Sequence, residues 1–247
     1  MLEYLPQANC LQGKVILVTG AGAGIGKAAA INFAQQGAEV ILLGKTTEKL
    51  EKVYDEILAS GAKEPAIVPL DMQGATKDHY LAMAQTIEDT FGRLDGLLHN
   101  ASQLGTLMPF EQWPQDKLEM VMQVNVNAQF IMTQALLPLL KKSDSASVVF
   151  TSSSVGRKGR AFWGAYAISK FATEGMMQVL ADEFDNTHIR FNAINPGATA
   201  TKMRAVAYPA EDPANIAQPD DIMPAYLYLM SDESRDINGQ SIDAQPK

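Results

Sequence analysis

The sequence predicts a doubly wound α/β fold, a mostly parallel sheet of about seven strands with helices on both faces. Three observations carry this reading. Short apolar runs without polar alternation recur along the chain, the pattern of strands buried on both sides. Stretches with helical spacing of apolar residues separate most of them, as right-handed βαβ units require. A glycine-rich turn follows the first apolar run directly and opens a helical pattern. The 247 residues suffice for a large buried core and fit one domain over residues 1–247.

The elements are expected in a regular alternation. The first strand falls at Val15–Thr19 and its helix at residues 25–36. A strand at 40–43 precedes a helix at 47–60, and a strand at 66–70 precedes a helix at Lys77–Phe91. A strand at 94–99 leads to a long helix at 118–140, and a strand at 147–152 to a helix at 166–185. Strands at 189–194 and 240–244 complete the sheet. The helices at 118–140 and 171–184 carry apolar residues on more than one face, beyond the single stripe that packing on a sheet needs. The second face is expected to meet a partner subunit, giving a homodimer or homotetramer; deeper burial within one chain is the alternative.

Composition narrows the partners. Apolar residues make up 47% and charged residues 19%, and the formal net charge is −8. Such a surface repels a phosphate backbone, so neither nucleic acid nor anionic membrane is an expected partner. The lone Cys10 precludes a disulfide within the chain and fits a reducing compartment. The opening Met1-Leu2-Glu3-Tyr4-Leu5-Pro6 has neither a basic nor an apolar leader region. No apolar run approaches the roughly 18 residues of a membrane span, so a soluble cytoplasmic protein is expected. His79, His99 and His188 are scattered without ligand-like spacing, and no catalytic metal is expected.

The first strand runs into Thr19-Gly20-Ala21-Gly22-Ala23-Gly24-Ile25-Gly26. Strand, glycine-rich turn and helix together make a phosphate-binding device. Glycines let the backbone approach a pyrophosphate, and the helix N-terminus offers free N–H groups and partial positive charge. The G-x4-G-K-[ST] phosphate loop does not fit, because Ala21 stands five before Gly26 and Ala28 follows Lys27. A tight βα turn without a ligand is the alternative reading of the glycines; a dinucleotide is what the family resemblance carried by these and later segments implies. The dinucleotide's ribose is read at the end of the second strand, where a carboxylate would bind the 2′-OH of NAD and repel the 2′-phosphate of NADP. Gly44, Lys45 and Thr46 stand there, with no acid and with a cation and a hydroxyl for phosphate. NADP(H) is the expected cofactor, although Lys45 also fits a solvated surface lysine and Ala23 supplies no second basic group.

Tyr166 and Lys170 are four apart and share one face of a helix. Hydride transfer at an alcohol carbon needs a matching proton transfer at its oxygen. A free tyrosine, with pKa about 10, is a poor base at neutral pH, and a neighbouring cation is expected to lower it. Ser153, after an apolar strand, can donate to the reacting oxygen.

These segments resemble the short-chain dehydrogenase/reductase family, in order and along essentially the whole chain. Thr-Gly-x3-Gly-Ile-Gly (Gly20, Gly24, Ile25, Gly26) is similar to its cofactor motif, with Gly22 inside it. Asp71-Met72 resembles the adenine-binding pair, and His99-Asn100-Ala101-Ser102 an imperfect Asn-Asn-Ala-Gly. Asn125, Ser153, Tyr166 and Lys170 match the catalytic set, and Pro196, Gly197, Thr199 and Thr201 the Pro-Gly-x3-Thr segment. Residues 148–175 and the ending Asp243-Ala244-Gln245-Pro246 look most like the YciK-like bacterial oxidoreductase branch. The resemblance implies a Rossmann fold and NADP(H)-dependent carbonyl–alcohol interconversion. It implies that Lys170 holds the nicotinamide ribose and that Asn125 maintains a water-linked proton path to Lys170. It also implies a four-helix interface between subunits. Ser102, in place of glycine, departs from the pattern and narrows the expected ribose site.

A reductase of 3-oxoacyl groups on carrier protein or coenzyme A is the alternative enzyme, and a non-catalytic NADP sensor the alternative of another class. The intact set Asn125, Ser153, Tyr166 and Lys170 argues against the sensor. A small-molecule carbonyl or alcohol is the expected substrate, chosen by residues 103–110, 155–163 and a lid at 202–218. Arg157, Lys158 and Arg160 fit either an anionic substrate or plain surface charge.

Overall fold

The computed structural model describes residues 4–245; Met1 to Glu3 of the opening segment and Pro246 of the ending lie outside the described residues. Its strands are β1 (Val15–Thr19), β2 (Glu39–Gly44), β3 (Ala66–Pro69), β4 (Gly96–His99), β5 (Ala146–Thr151), β6 (Ile189–Asn195) and β7 (Ser241–Asp243). They form one sheet in the order β3-β2-β1-β4-β5-β6-β7. Every pairing is parallel, with Leu17 of β1 between Ile41 of β2 and Leu97 of β4.

The apolar runs read as strands because both faces of the sheet are covered. Side chains alternate across each strand. Val15 and Leu17 point into one core, Ile16 and Val18 into the other. Ile41 and Leu43 oppose Val40 and Leu42 in the same way. The first core is closed by α3 (Lys77–Phe91), α5 (Ala128–Leu140) and α6 (Gly164–Glu183). The second is closed by α1 (Gly24–Gln35), α2 (Thr47–Ala59) and α8 (Met223–Met230). Each fully buried Leu, Ile, Val or Phe contributes about 1.5–3 kcal/mol.

Two features differ from the sequence reading. The expected helix at 118–140 begins earlier as α4 (Gln115–Met122) and passes through a π-helical turn at Gln123–Asn127 before α5. The segment at 202–218 contains α7 (Lys202–Ala207) and is followed by α8, neither of which was foreseen. The sequence of α8, Met-Pro-Ala-Tyr-Leu-Tyr-Leu-Met, is apolar on nearly all sides and presents no polar face to reveal its period. Its proline lies in the first turn, where a missing N–H is harmless.

The two helices with excess apolar residues do expose part of them. Leu118 and Phe130 project outward from α4 and α5, and Ile168, Phe171 and Val179 from α6. Phe184 instead enters the core against Phe191, with ring centroids 5.5 Å apart.

Candidate active site

Strand order reverses between β1 and β4, and a crevice opens there at the carboxyl ends of the strands, as it does in open α/β sheets. It widens into a cleft of about 1190 Å³. Thr19, the last residue of β1, ties the two strand ends together. Its hydroxyl accepts from the backbone N–H groups of Asn100 (2.9 Å) and Ala101 (3.0 Å) and donates to the Leu98 carbonyl (3.1 Å). The Asn100 amide donates back to the Thr19 carbonyl at 3.2 Å.

The glycine turn is built for close approach. A Cβ on Gly26 would stand 2.3 Å from the Gly20 carbonyl oxygen and 2.6 Å from Asn100 Nδ2, so no other residue fits. Gly26 therefore packs behind the cleft and does not line it, whereas Gly20, Gly22, Gly24 and Ile25 do line it. Ala23 caps α1 without any side-chain hydrogen bond, and the first turn carries no acid. Its N–H groups are left for an anion.

At the end of β2, Gly44, Lys45 and Thr46 line the same cleft. Thr46 caps α2, yet its side chain makes no capping bond. Lys45 and this hydroxyl, with Lys49 beside them, give a cationic and hydrogen-bonding lining without a carboxylate at the strand end. Asp71 and Met72 form one wall. Pro196, Gly197, Thr199 and Thr201 form another wall. Gln245 holds that wall in place, donating to the carbonyls of Pro196 (2.7 Å) and Ala198 (2.9 Å). This bolt was not assigned from sequence, because only the fold brings the end of the chain there. A cleft with a Cβ-free cradle, an uncapped helix N-terminus and a cationic end fits a dinucleotide phosphate.

The chemistry sits at the end of β5. Ser153, Tyr166 and Lys170 all line the cleft. Lys170 is buried and donates from Nζ to the Thr151 carbonyl at 2.7 Å, and Nζ lies 5.4 Å from the centre of the Tyr166 ring. Burial pulls its pKa down to about 8, and the nearby Glu174 carboxylate opposes that shift. Burial pushes the Tyr166 phenol up to about 12, and Ser153, close enough to hydrogen-bond it, lowers it in part. Loss of water around the phenol thus shifts Tyr166 upward, where the neighbouring Lys170 had been expected to lower it.

Asn125 is fully buried and lies behind the cleft, outside its lining. It occupies the middle of the π turn, where the ordinary helical bonding is interrupted. Its Oδ1 accepts from the Gln103 N–H at 2.7 Å, and its Nδ2 donates to the Gln103 carbonyl and to Ser169 Oγ, both at 2.9 Å. Ser169 in turn donates to the Tyr166 carbonyl at 2.7 Å. The side chain therefore joins the loop after β4 to the helix that carries Tyr166 and Lys170. Thr19, Thr151 and Ser169 were missed as site residues. The signal in α6 was the small polar pair Ser169 and Thr173 on an otherwise apolar face.

Two members of the basic cluster after Ser153 have partners of their own. Arg157 is bound to Asp243 (2.6 Å) and the Ser241 hydroxyl, and Arg160 donates to the Tyr208 hydroxyl. The segment 202–218 is held by Arg204, which binds both oxygens of Glu211 at 2.6 Å. Buried His99 stacks on Phe150 and has its pKa pulled down to about 3 by burial. Among the described residues, no group of three or more His, Cys, Asp or Glu side chains is placed to hold a metal ion, and no helix is long and apolar enough to cross a membrane.

Comparison with known proteins agrees with this geometry. The family model described as short chain dehydrogenase matches residues 14–212. The Escherichia coli K12 oxidoreductase YciK is 54% identical over 245 residues, covering 99% of this chain and 97% of that protein. A short chain dehydrogenase structure from Pseudomonas syringae superposes with a TM-score of 0.98 at 56% identity, covering 99% of this chain and 100% of that one. One from Escherichia coli CFT073, complexed with NADPH, superposes with a TM-score of 0.95 at 54% identity over 98% of this chain and 100% of its own.

Proposed function

The chain belongs to the short chain dehydrogenase family, and we propose that it reduces a small carbonyl compound to an alcohol with NADPH, with Tyr166 as proton donor. The observation that carries this is the convergence of Ser153, Tyr166 and Lys170 on one cleft, with Lys170 Nζ 5.4 Å from the centre of the Tyr166 ring. A phenol with a pKa near 12 is fully protonated at neutral pH, the form that gives a proton to a carbonyl oxygen as it becomes an alkoxide. NADPH held in the cleft would supply the hydride.

The other groups hold and polarise. Ser153 donates to the oxygen on which charge develops. Lys170, fixed on the Thr151 carbonyl, places a positive charge under the phenol that stabilises it as the proton leaves. Asn125 is a positioning residue, since its amide is spent on Gln103 and Ser169. Gly20, Gly22, Gly24 and Ile25 would hold the pyrophosphate, with Gly26 packed behind them to let the turn close, and Gly44, Lys45 and Thr46 the 2′-phosphate. Asp71 and Met72 would flank the adenine. Asn100, Ala101, Tyr166 and Lys170 would meet the nicotinamide ribose, and Pro196, Gly197, Thr199 and Thr201 the nicotinamide side. The similar NADPH-bound structure supports NADPH over NADH. Pairing of two or four copies through the exposed faces of α4, α5 and α6, in a reducing cytoplasm, completes the proposal.

Tyr166→Phe tests it. NADPH oxidation with a panel of aldehydes and ketones is expected to fall about 10²–10⁴-fold, the usual contribution of a general acid. The dissociation constant for NADPH should stay within about twofold and below that for NADH. Turnover by the variant within twofold of the parent would overturn the assignment.

A further inference from the structure

We infer that the substrate is a neutral aldehyde or ketone whose carbonyl is carried on an aromatic or alicyclic ring, recognised by Trp163. This rests on the reductase reading above and names its substrate class. The surface beside the Tyr166 phenol is apolar. Leu104, Val155, Tyr166 and Ala167 form a small buried cluster of their own, with Leu107, Trp163, Met203 and Ala207 packed around it. The Trp163 ring lies 5.8 Å from that of Tyr166 and 5.9 Å from that of Tyr208, between the proton donor and the end of α7. Leu104, Trp163, Met203, Ala207 and Tyr208 all face the cleft. An indole lining the cleft beside the Tyr166 phenol favours a ring that can pack on it.

The backbone is arranged to put Trp163 there. The preceding Phe162 adopts φ 72°, a left-handed conformation that a bulky residue rarely takes. Its carbonyl accepts from the Met108 N–H at 3.1 Å, joining this loop to the one after β4. The following Gly164, at φ 27°, begins α6; a Cβ there would stand 2.4 Å from Nε1 of Trp113, which braces the turn from below.

Two of the arginines on this side are already paired with carboxylates. Arg204 is spent on Glu211, and Arg157 on Asp243 and Ser241. Arg160 is bound to the Tyr208 hydroxyl and lies 5.8 Å and 5.6 Å from the ring centres of Trp163 and Tyr208, a strut for the aromatic wall. Lys202, which also lines the cleft, follows Thr201 on the proposed cofactor side. A formal charge of −8 further repels an acidic carrier.

The experiment compares benzaldehyde and cyclohexanone with butanal and acetoacetyl-coenzyme A. NADPH oxidation gives kcat/KM, and saturation-transfer NMR on the NADPH-loaded protein gives binding. The ring compounds are expected to exceed the other two by roughly tenfold or more in kcat/KM. Trp163→Leu should cut that ratio by a similar roughly tenfold factor, mainly through KM, while Trp163→Phe restores most of it. Preference for butanal or the thioester, an equal loss on every substrate in Trp163→Leu, or absence of any ring binding would overturn the inference. Ring binding that needs Trp163 without NADPH oxidation would uphold it and overturn the reductase reading instead. Turnover with the preference reversed would do the opposite.

Discussion

Lys170 illustrates how much one side chain's surroundings decide. It is buried, has one hydrogen bond to a main-chain carbonyl, and carries a pKa near 8. One helical turn later, Glu174 is also buried, accepting from the Ser241 hydroxyl at 2.7 Å with Arg157 3.6 Å away. Its charge favours the ammonium form of Lys170 and partly offsets the loss of water. The proposed reduction needs that ammonium, so its rate should fall as pH rises through about 8, while Tyr166 stays protonated over the same range. Glu174→Gln removes the favourable charge, lowers the Lys170 pKa further, and moves this alkaline limb to lower pH. A limb that stayed in place or moved upward in a kcat–pH profile would refute the coupling. The pairing of Tyr166 with Lys170 was legible from their spacing. Glu174 was not, because its burial depends on β7 closing over α6.

At the scale of elements, the π turn between α4 and α5 is where sequence periodicity and structure part. An amide in the middle of an apolar helix marked Asn125, but a one-residue widening of a helix leaves no compositional trace. The turn is stabilised from outside, through Gln103 and Ser169. Ser169→Ala should leave one buried N–H of Asn125 without a partner, a cost of about 1–3 kcal/mol. For a chain of this length that corresponds to a fall in Tm of roughly 2–12 °C by calorimetry. An unchanged Tm would show that the Asn125 amide is satisfied elsewhere. The α8 helix was hidden for the opposite reason: nearly every residue in it is apolar and packed, so no polar face betrays its period.

For the whole molecule, α5 and α6 expose several apolar side chains, and Leu5, Leu58, Leu81 and Phe110 are exposed elsewhere. Phe130 is 56% exposed, Phe171 46% and Val179 64%, on α5 and α6. Leaving such a surface in water is costly at about 25 cal/mol per Å² of apolar area. Light scattering at micromolar concentration should therefore give twice or four times the 26.8 kDa chain mass. The double variant Phe130→Glu and Val179→Glu should lower that mass toward one chain. An active parent protein at the mass of one chain would refute the assembly.

What the sequence determined on its own is what local chemistry encodes. Apolar runs without alternation require a sheet covered on both faces. Glycines at Gly20, Gly24 and Gly26 require a backbone in close approach, and four-residue spacing puts Tyr166 beside Lys170. These follow from φ/ψ freedom, side-chain period and residue type, which are properties of short segments. The tertiary structure alone decided the rest. It put Asn125 on the Gln103 backbone, Gln245 under the Pro196 wall, and Trp163 between Tyr166 and Tyr208. It also raised the Tyr166 pKa, where the lysine beside it had suggested a fall. The reason is common to all four: burial and hydrogen-bond partners belong to groups far apart in the chain, and their strengths depend on how much water the completed fold removes.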